Sequence, residues 1–266
     1  MFTKSKIYAR KISRQYFILL FFFSLFSNIT VAQGLFNQER KPVRSTLVNF
    51  SHIEFNLDFY QFNTNQSLPS QTGNGTLKVN ENNYLNLEYN ISNAWLNNSN
   101  YIIPGDFNFS YIHNIYSKNY QKEGFQGGSI KIKMILPTGK SEYLSGLDNW
   151  IIEPQIYFGW KLKNNKIYFA NRLRANFSIA HLPGIPKSAP FIRYEPILGY
   201  ENDKFWLAST IDNRYIMDSR KYILFLELEM GLKFNQSNGI FSSATYRVFG
   251  ELFYEFYLSF GYYKTF

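Results

Sequence analysis

Apolar and polar residues take turns along most of this chain, and the alternation is sharpest over "KYILFLELEMGLKF", residues 221–234. Tyr222, Leu224, Leu226, Leu228, Met230, Leu232 and Phe234 fall on one parity, while Glu227, Glu229, Gly231 and Lys233 fall on the other with Ile223 and Phe225. A helix would scatter those charges around its axis, whereas a strand sorts them onto one face. The stretch 253–266 behaves alike: Phe256, Leu258, Phe260, Tyr262 and Phe266 oppose Glu255, Tyr257, Ser259, Gly261 and Thr265. Read this way, the chain predicts about twelve strands, near 47–61, 74–80, 84–92, 105–116, 128–137, 149–162, 166–180, 189–200, 204–215, 221–234, 239–249 and 253–266.

The segments between strands alternate in length. "NTNQSLPSQTG", "SNAWLNNSNYIIPG" and "TGKSEYLSGLD" are long, whereas "NENN", "KNNK", "END" and "NQSNG" are short and rich in Asn or Gly, as tight turns require. "SKNYQKEGFQG" is long where a short turn belongs, and "FGEL" is short where a loop belongs. Long outer loops alternating with short inner turns are the habit of outer-membrane barrels. Several strands also reach the ~9–11 residues a tilted strand needs to cross a bilayer. The expected fold is all-β: an antiparallel up-and-down transmembrane β-barrel of about 12 strands. A secreted sandwich or lipocalin-like barrel alternates too, with its apolar face inward. Strand length, loop alternation and the aromatic Phe266 oppose that reading. Bacterial outer-membrane barrels end on an aromatic that their assembly machinery recognises; residues 253–266 resemble such a terminal strand, which makes Phe266 the expected membrane-assembly signal.

Charge sharpens the picture at the other end. Lys4, Lys6, Arg10, Lys11 and Arg14 precede the apolar run "YFILLFFFSLF", and Thr30 and Ala32 occupy the −3 and −1 positions of a cut before Gln33. This is the composition of a secretory signal peptide, with an apolar core too short for a spanning helix. The expected organisation is a signal peptide over 1–32 and an outer-membrane barrel over 33–266. Without the leader the formal charge falls from +9 to +4, with 23 basic and 19 acidic side chains, so the case for a nucleic-acid partner lapses. Location in the outer membrane follows, with its lipid and the barrel-assembly machinery as partners.

If the apolar rows face lipid, the opposite rows line the lumen. The candidate lining residues are Lys131, Lys133, Glu153, Lys161, Arg172, Arg174, Arg193, Glu195, Asp212, Arg214, Glu227 and Glu229, joined by Glu54, Asp58, Lys233, Arg247 and Glu255. Charge on the lipid face would cost ~2–4 kcal/mol for each Arg or Lys at mid-membrane, which is why the sorting itself argues for this assignment. Strand pairing sets Glu153 near Arg174 and Arg193 near Asp212. Such a lining either selects a solute or fills a narrow barrel with ion pairs.

Catalytic chemistry finds little support. Cysteine is absent, and His52, His113 and His181 have no metal-ligand spacing. No Ser or Asp sits beside a His as a triad would need. The expectation is no metal, no cofactor and no enzyme. One stretch is more distinctive, "GGSIKIKMILPTGKSEYLSGLDNWIIEPQIYFGW" over 127–160. A strand ending in Leu-Pro-Thr-Gly, a loop with a Ser-Gly pair, and a Trp- and Pro-containing strand resemble the outer-membrane barrels named for the MetA pathway of phenol degradation. That resemblance implies a channel for small, often aromatic, organic compounds. The functional expectation is a channel or binding protein for small organic solutes, aromatic or hydrophobic ones included; the alternative is a structural or surface-interaction barrel without conductance.

Overall fold

The computed structural model describes residues 51–62, 67–96, 99–117, 124–139, 148–162, 166–181, 188–235, 237–251 and 254–266. Residues 1–32, read above as a signal peptide, lie outside the described residues. Twelve antiparallel strands form one closed barrel in chain order: β1 (His52–Phe62), β2 (Ser67–Lys78), β3 (Asn83–Leu96), β4 (Ser99–Ser117), β5 (Gly124–Leu136), β6 (Asn149–Leu162), β7 (Ile167–His181), β8 (Phe191–Glu201), β9 (Phe205–Ile216), β10 (Lys221–Lys233), β11 (Asn238–Phe249) and β12 (Tyr254–Thr265). β12 closes on β1, with His52 opposite Thr265 and Asp58 opposite Ser259. Closure leaves no sheet edge, which lipid requires because each unpaired backbone group there costs several kcal/mol.

The alternation becomes an inside and an outside. Along β10, Ile223 and Phe225 are fully buried and Glu229 is buried, while Leu228, Met230 and Leu232 are about half exposed. In a single closed sheet a buried side chain must point inward, so the exposed aliphatic and aromatic rows clothe the outer surface. β6 repeats the pattern, with Ile151, Glu153, Gln155, Tyr157 and Lys161 buried and Trp150, Ile156 and Phe158 exposed. An outer surface of this kind is soluble only in lipid.

Two segments read as loops are strand instead. β2 starts at Ser67, and "SQTGNG" continues it although the segment lacks apolar alternation. Its neighbours supply the reason: Ser70 pairs with Asp58 on β1 and with Ser92 on β3, so backbone partners on both sides hold a sequence that propensity alone would leave unstructured. Likewise β3 and β4 run on through most of "SNAWLNNSNYIIPG" to a hairpin in which Leu96 faces Ser99.

Proline interrupts the wall twice. The β6–β7 ladder omits Glu153 and Pro154, and the β8–β9 ladder omits Glu195 and Pro196, since proline has no N–H to give. At the second gap a side chain makes the repair: Asn213 Nδ2 donates to the carbonyls of Tyr194 at 3.0 Å and Ile211 at 3.3 Å.

Candidate functional site: the charged interior

Strand register assembles the interior charges into rows. Lys131 on β5 faces Gln155 on β6, Gln155 faces Arg174 on β7, Arg174 faces Arg193 on β8, and Arg193 faces Arg214 on β9. One row across five strands therefore carries four cations. Like charges directly opposite each other are destabilising, so the row needs acids nearby. The next inward places on β8 and β9 supply them as Glu195 and Asp212, while β7 adds one more cation, Arg172, opposite Glu195.

Glu195 is the hub. Arg172 donates to it through Nε at 2.6 Å and Nη2 at 2.9 Å, Arg174 through Nε at 2.7 Å and again through Nη2, and Arg193 through Nη2 at 3.0 Å. Arg193 also grips Asp212 with Nε at 3.1 Å and Nη2 at 2.5 Å, and Arg214 donates to the same carboxylate at 2.9 and 2.6 Å. The planar guanidinium fork makes such bidentate pairs possible. Glu153 lies 3.8 Å from Arg174 and accepts from Gln155 at 2.6 Å. Lys133 lies 3.4 Å from Glu88, which also accepts from Asn108 at 2.8 Å.

The other candidates are more dispersed. Lys161 is buried near the β6–β7 turn, opposite Tyr168. Glu229 accepts from Trp206 Nε1 at 2.9 Å, and Glu227, two places before it on β10, is half-buried. Phe266 is exposed beyond β12, its backbone N–H bonded to Ser51 at 2.9 Å and its ring under Lys264. Sequence reasoning missed Glu88. Its parity with Asn86 and Asn90 in "NYLNLEYN" was the available signal, obscured by polar residues on both faces of that strand.

Apolar layers bracket the charges. Trp206, Phe241 and Tyr263 form one cluster, with the Trp206 and Tyr263 rings 5.5 Å apart, while Tyr157, Ala170 and Ile197 pack with Tyr168. Glycine makes this possible, because a Cβ on Gly231 would stand 2.2 Å from the Trp206 ring and one on Gly199 2.1 Å from Tyr168. On the opposite side of the arginines, Ile216, Ile223 and Phe225 pack with Ala189 and Phe191, and the Arg214 guanidinium stacks 4.4 Å from the Phe225 ring centre. His113 Nδ1 sits 2.8 Å from Asn83 Oδ1 and His52 Nε2 3.4 Å from Thr76 Oγ1. Among the described residues no group of three His, Cys, Asp or Glu is placed to hold a metal ion.

Solved structures share this architecture. The COG4313 outer membrane channel from Pseudomonas putida F1 matches with a TM-score of 0.61 at 13% identity, over 88% of this chain and all of that one. The NanC porin matches at 0.58 and 9% identity over 81% of this chain and 98% of that one, and the KdgM porin at 0.55 and 9% over 81% and 99%. At such identities the likeness is one of fold. No protein-family model matches this chain, and no curated protein matches it in sequence. The closed twelve-strand barrel, its lipid-compatible surface and its polar interior together define an outer-membrane β-barrel protein.

Proposed function

We propose that this protein is an outer-membrane channel for small organic solutes, aromatic and hydrophobic ones included, which pass or bind along the charged wall. The carrying observation is where exposure survives inside the barrel. Arg172, Arg174, Arg193, Lys133 and Glu88 keep 15–23% of their side-chain surface, although all face inward. Room for water beside them is room for a solute. Phe225, at 0%, and Ser259, at 0%, border no such space. The aromatic layers on either side of the charges support a preference for solutes with an apolar body, as does the resemblance of residues 127–160, which supply Lys131, Lys133 and Glu153, to the MetA-pathway barrels.

The test is single-channel recording in planar bilayers, together with uptake of small aromatic compounds by proteoliposomes. Discrete currents and uptake are expected. A barrel that stays closed would favour the second reading, a structural or surface-contact barrel, for which the full burial of Trp206, Tyr84 and Phe225 is the supporting observation.

We also infer that residues 1–32 are removed on export and that Phe266 serves the assembly machinery. Deleting Phe266 should leave refolding into detergent intact yet cause periplasmic accumulation in cells, with Phe266→Tyr tolerated and Phe266→Asp not. Normal insertion of the deletion variant would leave Phe266 as one more lipid-facing aromatic.

A further inference from the structure

We propose that the solute carries a negative charge: the barrel prefers anions, small organic carboxylates in particular, and Lys131 is the residue that meets them. This rests on the channel reading above.

The charges are segregated around the barrel. Strands β5–β9 point Lys131, Lys133, Lys161, Arg172, Arg174, Arg193 and Arg214 inward against Glu153, Glu195, Glu201 and Asp212. β10–β12 and β1 show the reverse, with Glu54, Asp58, Glu227, Glu229 and Glu255 against Lys221, Lys233 and Arg247. A solute inside crosses a field directed from the β5–β9 wall to the opposite arc, and an anion is drawn to the wall where the water-reachable space lies.

Most cations of that wall are already satisfied. Glu195 and Asp212 absorb the arginines, and Glu88 takes Lys133. Lys131 differs. It opens the cationic row, its register partners are the neutral Ile112 and Gln155, and among the described residues no carboxylate lies within ion-pair distance of it. The residue is partly exposed, and the acids Glu88 and Glu153 act on its ammonium from beyond ion-pair distance. An ammonium with no direct ion pair, in a row that continues through Arg174, Arg193 and Arg214, matches a carboxylate. Clefts lined by one sign of charge concentrate counter-ions by ~10-fold or more.

The experiment measures reversal potential for the full chain in planar bilayers under a potassium chloride gradient, and block by benzoate. The expected result is chloride more permeant than potassium. Lys131→Gln should lower the permeability ratio by at least about twofold and weaken benzoate block, while Lys131→Arg keeps both. Lys204→Gln, in the β8–β9 turn, removes an equal charge outside the barrel and should change neither. A conducting protein that prefers potassium, or a ratio that Lys131→Gln does not move, overturns this inference and leaves the channel intact. A protein that never conducts overturns the channel reading and this inference with it. Should Lys131→Gln fail to assemble, the wild-type ratio and the Lys131→Arg variant decide.

Discussion

The wall formed by β5–β9 and the arc formed by β11, β12, β1 and β2 use the same alternating backbone and are filled in opposite ways. On the wall, inward places carry long ionised side chains bound to one another across three strands. On the arc they carry Ser243, Thr245, Ser259, Asn56, Ser70, Thr72 and Thr76, short polar side chains set among the acids Glu54 and Asp58 and the rings of Phe241 and Tyr263. Ser243 stands opposite Ser259, and each is buried with a hydroxyl that has no hydrogen-bond partner among the described residues. The two fillings depend on each other. A barrel of this circumference has a fixed interior volume, so arginines can reach across one side only where the other side is kept short. The charged wall is thus a coupled network in which each member needs the others, whereas on the arc Ser243 and Ser259 are separable positions beside Asp58, which accepts from Thr72 and Tyr257.

The largest effect should come from the hub. Glu195→Gln leaves Arg172, Arg174 and Arg193 without their shared carboxylate, and removing one partner of a buried ion pair costs ~3–5 kcal/mol. Because those arginines touch some water, about 3 kcal/mol is the expected loss, read from urea unfolding in lipid vesicles. A change below about 1 kcal/mol would mean that the network is held by solvent rather than by Glu195.

Next comes the outer surface of β10, the strand beside the wall. Leu228, 56% exposed on β10, should tolerate Arg poorly, at ~2–4 kcal/mol, because the charge would enter lipid. If Leu228→Arg instead folds as well as the wild type in vesicles, the outward row does not meet hydrocarbon. Gly231→Ala tests the inward row of that strand. The new methyl would collide with the Trp206 indole, whose Nε1 is committed to Glu229, and overpacking of this kind costs ~1–3 kcal/mol. A fall in thermal midpoint is the expected outcome.

The smallest effect should lie on the arc. Ser243→Ala removes a hydroxyl that bonds to nothing described, so stability should stay within about 0.5 kcal/mol, with any change upward. A loss comparable to that of Glu195→Gln would show that the arc is also a network, held by groups the side-chain geometry does not reveal.

Much of this barrel was legible in the sequence, and the failures have physical causes. Period-2 alternation located β6–β12 to within two residues at each end, because one face of each must be apolar for lipid and the other is not. β2 escaped for the opposite reason: its Gln71, Gly73 and Gly75 give the outward row no apolar bulk, and only pairing with β1 and β3 defines it. The charged residues could be listed by parity, and tight turns brought Glu153 towards Arg174 and Arg193 towards Asp212. What parity could not give was the register that joins Lys131, Arg174, Arg193 and Arg214 in one line, or the sharing of Glu195 by three arginines. Those depend on bulges, on the proline gaps and on rotamers. The glycine–aromatic pairs were hidden likewise, since Gly231 and Trp206 are neighbours only once β9 and β10 are aligned.

The seam between β1 and β12 sets a timetable as well as a shape. Asp58 accepts a hydrogen bond from Tyr257 at 2.7 Å across 199 positions of chain. No intermediate length of nascent chain can satisfy β1 on that flank, so its backbone groups remain exposed until the last strand has been delivered. Pairing between such distant segments is intrinsically slow, because the loop must be closed before any contact rewards it. A chain of this design therefore carries an open edge along β1, the kind that pairs with other chains, until β12 closes on it.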